Sequence, residues 1–313
     1  MSVTSEREKV EVRQPVRPSF AWIHGRKFMA YMMVLPAILI IVGVVFYPIG
    51  QAFWLSLHDI DLRYPARGEP FIGFDNYAEV FSTPRIWEAL RFTTLFALIS
   101  VGLELVFGMG IALLLNREFA GRGLVRAVIL IPWSLTTVVV ARMWNLIYNS
   151  EYGILNSLLK GAGLIDKNKL WTADQDLTFW AVIVADVWKA TPFMTLILLA
   201  GLQGIPHDLY EAARVDGATF WQGFWHITLP GLRATMVVAL IFRTIDATRV
   251  FDLIFVLTNG SYGTESLNLY TYKKLFNDLN FGLGSALAII TFCYIAIIAI
   301  LYLRVGSQRE KKL

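Results

Sequence analysis

Apolar residues fall in long stretches along this chain, separated by short polar segments. Residues 28–58 and 283–303 contain no Asp, Glu, Lys or Arg, and each suffices to cross a bilayer core, which takes about 20 helical residues. Stretches at 29–57, 92–115, 127–148, 178–202, 234–257 and 283–303 predict six transmembrane helices and an all-α, multi-pass fold. The chain then divides into a tail at 1–27, a six-span domain at 28–303 and a tail at 304–313. Six crossings put both tails on one side. The first tail is polar and basic, and its composition predicts disorder at its start. The run behind it is too long for the apolar region of a signal peptide. Lys and Arg of the tails and of the second and fourth loops outnumber those of the other loops, which places both termini in the cytoplasm.

The first, third and fifth loops carry Gly, Pro and aromatic residues and predict short helices and turns on the outer face, with no separate domain. Trp54, Trp87, Trp133, Trp171 and Trp180 lie near span ends, as an interfacial belt requires. Composition agrees: 56% of residues are hydrophobic and 17% charged, against about 25% charged in soluble domains. The net charge of +4 then reads as a marker of orientation and not of nucleic-acid binding. Cys293 is the single cysteine, so neither a disulfide framework nor a thiolate metal site can form. There is no G-x-x-x-x-G-K-[ST] loop and no H-E-x-x-H pair. The chain is therefore not expected to be an enzyme or to hold a cofactor of its own.

The segment 204–230 predicts a two-helix hairpin between the fourth and fifth spans. Pro206 suits a first helical turn, Asp208 and Glu211 favour the positive end of the helix dipole, and Gly217 permits a reversal. Thr219 and Gln222 form a capping-box pattern for a second helix, which Pro230 is expected to end. Leu209, Ala212, Ala213, Phe220, Phe224 and Trp225 give the hairpin an apolar surface, suited to a partner groove or the membrane surface.

Charged residues also stand inside the spans, where each costs roughly 2.5 to 3.5 kcal/mol at a helix centre unless paired or facing water. On a continuous fifth helix, Arg243, Asp246, Ala247 and Val250 share a face, while Arg249 and Asp252 trail to the opposite side. Asp186, Lys189, Ala190 and Phe193 repeat that spacing on the fourth. Pro192 cannot donate to the carbonyl of Trp188 and leaves an acceptor free, which is tolerated beside a cavity. Two readings stay open: an interhelical ion-pair network that holds the bundle, or a polar face that meets a substrate. Glu104 and Arg142, each alone in its span, read as partners for another helix.

The string Glu211-Ala212-Ala213, three residues, Gly217, nine residues, then Ile227-x-Leu229-Pro230 resembles the coupling-loop signature of bacterial ABC importer membrane subunits. Tyr47-Pro48-Ile49 with Ser56-Leu57, Phe71-Ile72-Gly73 with Asn76-Tyr77, and Leu257-Thr258-Asn259-Gly260 are similar to the carbohydrate-type branch, in its maltose-type and, more closely, mycobacterial trehalose-type members. The resemblance implies the type I (MetI-like) permease fold in a bacterial plasma membrane and a second, homologous permease subunit as partner. It further implies two copies of a cytoplasmic ATPase that carry ATP and Mg, an extracytoplasmic sugar-binding lipoprotein, and a disaccharide substrate, trehalose foremost. Glu211, Ala212, Ala213, Asp216, Gly217, Ile227, Leu229 and Pro230 would then couple to the ATPase. Asp186, Lys189, Ala190, Phe193, Arg243, Asp246, Ala247 and Val250 would line the sugar path, with Phe193 or Trp188 against the apolar side of a ring. An ion-coupled carrier and a non-transporting membrane scaffold are the alternatives.

Overall fold

The computed structural model describes residues 20–310, and apart from turns and two isolated β-bridges these are helical. The expected disorder at the start of the first tail lies outside the described residues. From Phe20 on, the tail is already helical, and the last helix continues past the sixth predicted span to Glu310.

The chain divides into two units between Gln51 and Ala52. The first holds α1 (Phe20–Ile41) and a π-helical turn at Val42–Phe46, after which α2 (Tyr47–Ser56) begins. The wide turn has a local cause. Pro48 has no N–H and its ring crowds the preceding turn, and the Tyr47 N–H just before it donates to Val42 O, five residues back.

The second unit runs from the end of α2 through α3 (Asp75–Ser82), α4 (Pro84–Asn116), α5 (Arg122–Ser134), α6 (Thr137–Ile147), α7 (Ile154–Gly161) and α8 (Gln175–Gln203). It continues with α9 (His207–Val215), α10 (Phe220–Gly223), α11 (Leu229–Gly231), α12 (Arg233–Thr248), α13 (Asp252–Leu257), α14 (Leu267–Tyr272) and α15 (Phe281–Glu310). Four helices of the described chain are long and apolar enough to cross a membrane, and six crossings result when each of two bent pairs counts as one.

Helix breaks correct two of the predicted spans. The third is not one helix: α5 and α6 meet at 94° across extended residues Leu135 and Thr136, three and four positions after Pro132. The fifth stops at Thr248, and Arg249 to Phe251 separate it from α13, which packs against α6. At its other end Pro230 does not terminate the helix. A second π-helical turn, Phe224–Thr228, absorbs the proline as the first does Pro48, with the Leu229 N–H donating to Phe224 O. The 66° bend comes after it, at Leu232.

The core lies where α4 crosses α8, with Phe96, Ile183, Met194 and Leu198 fully buried. Gly108 allows the approach, because a Cβ there would stand 2.8 Å from Met194 Cγ and 3.3 Å from the Thr195 backbone N. A smaller cluster of Val80, Ile86, Leu267, Tyr270 and Leu287 joins α3, α4, α14 and α15. The predicted outer loops are organised by side-chain amides. Asn76 Nδ2 donates to the carbonyls of Ser56 (2.8 Å) and His58 (3.0 Å), and Trp171 Nε1 donates to Asn156 Oδ1 (3.0 Å). Trp171 is thus a loop fastener as well as a residue near a span end. A bridge between Asp61 and Asn280 joins the first and fifth loops, consistent with their shared side.

Glu265 anchors the fifth loop by accepting from Arg85 Nε (2.6 Å) and Nη2 (2.8 Å) and from Lys273 Nζ (2.8 Å). Burial pushes its carboxyl up, but hydrogen bonds and charge from Arg85 and Lys273 outweigh this and hold it below the ordinary 4.5.

Two outcomes follow from this packing. Gly108→Val should lower stability by about 1–3 kcal/mol through overpacking, read as a lower melting temperature of the purified protein with Gly108→Ala intermediate. A depressed folded pKa contributes stability above the unfolded value and loses it as pH falls through the folded one. Wild type should therefore melt above Glu265→Gln at neutral pH, with the margin closing below the ordinary carboxylate range.

Candidate functional site

The two charged stripes meet. A cavity of about 150 Å³ is lined by Asp186, Lys189, Ala190 and Phe193 of α8 and by Arg243, Asp246 and Ala247 of α12. Val250 and Arg249 of the following link also line it, as do Asp252 and Leu253 at the start of α13. All eight positions singled out in the spans therefore share one cavity. Arg249 and Asp252, expected on the opposite side, line it too, because the helix ends at Thr248 and its periodicity does not carry on. The link is pinned from outside by Asn268 Nδ2 donating to Arg249 O (2.7 Å) and Ser266 Oγ donating to Val250 O (2.8 Å).

At the floor sits Arg243, whose side chain is 4% exposed. Its Nε and Nη2 donate to the two carboxylate oxygens of Glu104 at 2.5 and 2.8 Å, Nη2 also donates to Asp186, and Nη1 donates to Asp246 Oδ2 at 2.8 Å. Glu104 is fully buried, whereas the Asp246 side chain is 79% exposed. The structure thus divides the charged groups between an ion-pair network and a cavity wall. Arg243, Glu104 and Asp186 form an ion-pair network across α4, α8 and α12, while Asp246 and the half-buried Lys189, with Arg249 and Asp252, offer charge to the cavity. Glu104 is the partner for another helix that its isolation predicts, and Arg142 is exposed on α6.

The lining cations Lys189, Arg243 and Arg249 balance the lining anions Asp186, Asp246 and Asp252. Such a wall can hydrogen-bond hydroxyl groups in both directions without favouring a charged ligand. Phe193 stacks on Trp133 with centroids 5.8 Å apart and supplies an apolar face. Trp188 does not reach the cavity and instead packs edge-on against Trp144 at 5.9 Å. Sequence reasoning missed Trp133, Thr137, Phe251 and Leu253 in the lining. Only Pro132, which marks a bend beside Trp133, offered a signal.

The segment 204–230 folds as the predicted hairpin. Pro206 caps α9 instead of entering its first turn, and Gly217 takes φ +80°. Thr219 and Gln222 close the capping box: the Gln222 side chain accepts from the Thr219 N–H at 2.7 Å. Tyr210 OH meets Thr228 Oγ1 at 2.9 Å and ties the two limbs together. Glu211, Ala212, Asp216, Gly217 and Pro230 are exposed, and Ala213, Ile227 and Leu229 half-buried. Leu209, Val215, Phe220, Trp221 and Trp225 form an exposed apolar surface, which Phe224 leaves to pack on the core. Arg117, between α4 and α5, lies over the Phe220 ring at 5.9 Å, so the second loop touches the hairpin.

Residues 104–309 match the family described as the binding-protein-dependent transport system inner membrane component. The chain is 44% identical to the trehalose/maltose transport system permease protein MalF of Thermococcus litoralis, over 90% of its own length and 95% of that relative. It is 41% identical to the trehalose transport system permease protein SugA of Mycobacterium tuberculosis, over 88% of each chain. Among solved structures it resembles a bacterial ABC transporter involved in the import of the acidic polysaccharide alginate. That likeness has a TM-score of 0.79 at 24% identity and covers 93% of this chain and 99% of the other, which shows the fold. A multi-pass helical chain with this match across two thirds of its length belongs to the binding-protein-dependent transport system inner membrane components, the permease subunits of ABC importers.

Proposed function

We propose that this chain forms half of the path of an ATP-driven importer for an uncharged disaccharide, trehalose foremost, and that the hairpin 204–230 couples it to a partner ATPase. The convergence of eight span positions on one charge-balanced, aromatic-flanked cavity carries this reading. A balanced wall suits a neutral polyol, and the relatives named for trehalose point to the same class. About 150 Å³ is below the roughly 300–1,000 Å³ of a complete small-molecule site, as half of a site shared with a homologous permease subunit should be.

In this reading an extracytoplasmic binding protein delivers sugar to the cavity between the two permeases, and ATP with Mg binds to two copies of a cytoplasmic ATPase, none of it on this chain. Glu211, Ala212, Asp216 and Gly217 meet the ATPase, being exposed at the hairpin tip, while half-buried Ile227 and Leu229 with Pro230 pass the motion to α12. Both tails lie in the cytoplasm. ATP must favour one of two arrangements, and shifting the ratio from 1:99 to 99:1 needs about 5.5 kcal/mol of differential binding.

Two measurements on the reconstituted complex test this. Gly217→Val forces a β-branched residue to positive φ. It and Glu211→Ala should each reduce the stimulation of ATP hydrolysis by loaded binding protein about tenfold, and wild-type stimulation in both overturns the coupling assignment. Lys189→Ala and Asp246→Ala should each leave that stimulation in place while lowering sugar imported per ATP hydrolysed. An unchanged ratio in both removes the cavity from the sugar path.

A further inference from the structure

We infer that Glu104, which never reaches the cavity, is a positioning residue for it: by gripping Arg243 from behind, it sets the direction in which the Asp246 carboxylate points. The inference rests on the cavity being the sugar path. Glu104 is fully buried on α4 and absent from the lining, so it has no access to a ligand. What it does have is the whole rear edge of the guanidinium, with Nε at 2.5 Å from one oxygen and Nη2 at 2.8 Å from the other. A guanidinium is planar with a fixed fork of donors, so a two-point grip fixes its plane. Asp186 takes the remaining share of Nη2, which leaves Nη1 as the donor facing forward, and Nη1 holds Asp246 Oδ2 at 2.8 Å.

Asp246 needs this help. Its side chain is 79% exposed, and its contact within the network is the single bond from Nη1. Without the rear grip, the Arg243 plane can turn toward Asp186, and Asp246 is then free to take any rotamer. One oxygen of Asp246 is used by Arg243 and the residue lines the cavity, so the orientation of its carboxylate decides whether a hydroxyl finds an acceptor there. Gln at 104 keeps the shape of Glu but replaces one acceptor by an NH2 group that opposes a guanidinium N–H. It therefore breaks one point of the grip with no change of volume.

The test uses the full reconstituted complex with its binding protein and trehalose as the probe sugar, and reads sugar imported per ATP hydrolysed. A merely structural role would lower assembly and both rates together and leave that ratio unmoved. Glu104→Gln should cut the ratio at least about threefold, and Glu104→Asp, which can still offer two oxygens, should recover part of it. In the Asp246→Ala background, Glu104→Gln should produce no further fall, because its effect passes through the missing carboxylate. A normal ratio in Glu104→Gln beside a reduced one in Asp246→Ala overturns the positioning role and leaves the sugar path standing. A further fall in the double variant overturns it as well, since Glu104 then acts by another route. Normal ratios in Asp246→Ala and Lys189→Ala overturn the sugar path, and this inference with it. If Glu104→Gln does not assemble, the comparison of Glu104→Asp with and without Asp246→Ala decides by the same criteria.

Discussion

One guanidinium governs the centre of this protein. Arg243 is buried among apolar spans, where an unpaired charge would be prohibitive, and it is tolerated because carboxylates from α4, α8 and α12 satisfy its donors. That requirement brings three helices to one point and fixes their rotation, since each carboxylate must face inward at the same depth. Asp186 and Asp246 belong to both the network and the lining, so the group that holds the bundle together also shapes the wall of the cavity.

A second constraint is the need to satisfy backbone groups wherever a helix is interrupted. Pro48 and Pro230 fall just after π-helical turns, which restore hydrogen bonding by stepping back one residue further. The 66° bend after Pro230 turns a short hairpin limb into the base of α12, and α12 carries Arg243 and Asp246. The chain thus runs from the exposed hairpin to the residues that line the cavity with only the bend at Leu232 between its helical segments. The break after Thr248 works at the other end. It lets Arg249 and Asp252 line the cavity, and fifth-loop side chains hold the link in place.

Family membership selects among the carrier, scaffold and importer readings, which the charged stripes alone leave open. The capping box and the reversal at Gly217 were legible, because turn chemistry and capping act over a few residues, whereas Pro206 and Pro230 take other places than expected. The stripes were legible as stripes, since helical periodicity places residues on a face whatever that face meets. Illegible were the helix breaks in the third and fifth spans. Apolar runs look the same whether a helix is straight or bent, and a proline can end a helix, kink it or widen a turn.

The sequence by itself determined that the chain crosses a membrane, that its fourth and fifth spans carry a polar face and that a capped hairpin joins them. These follow from hydrophobic run length, helical periodicity and local turn chemistry, none of which needs a distant partner. Only the tertiary structure decided that Glu104 grips Arg243 from another helix, that Trp133 stacks on Phe193, and that Trp188 turns away to Trp144. Such pairings depend on the rotation and bending of whole helices against one another. In a uniformly apolar stretch, neighbours within a turn do not specify that rotation.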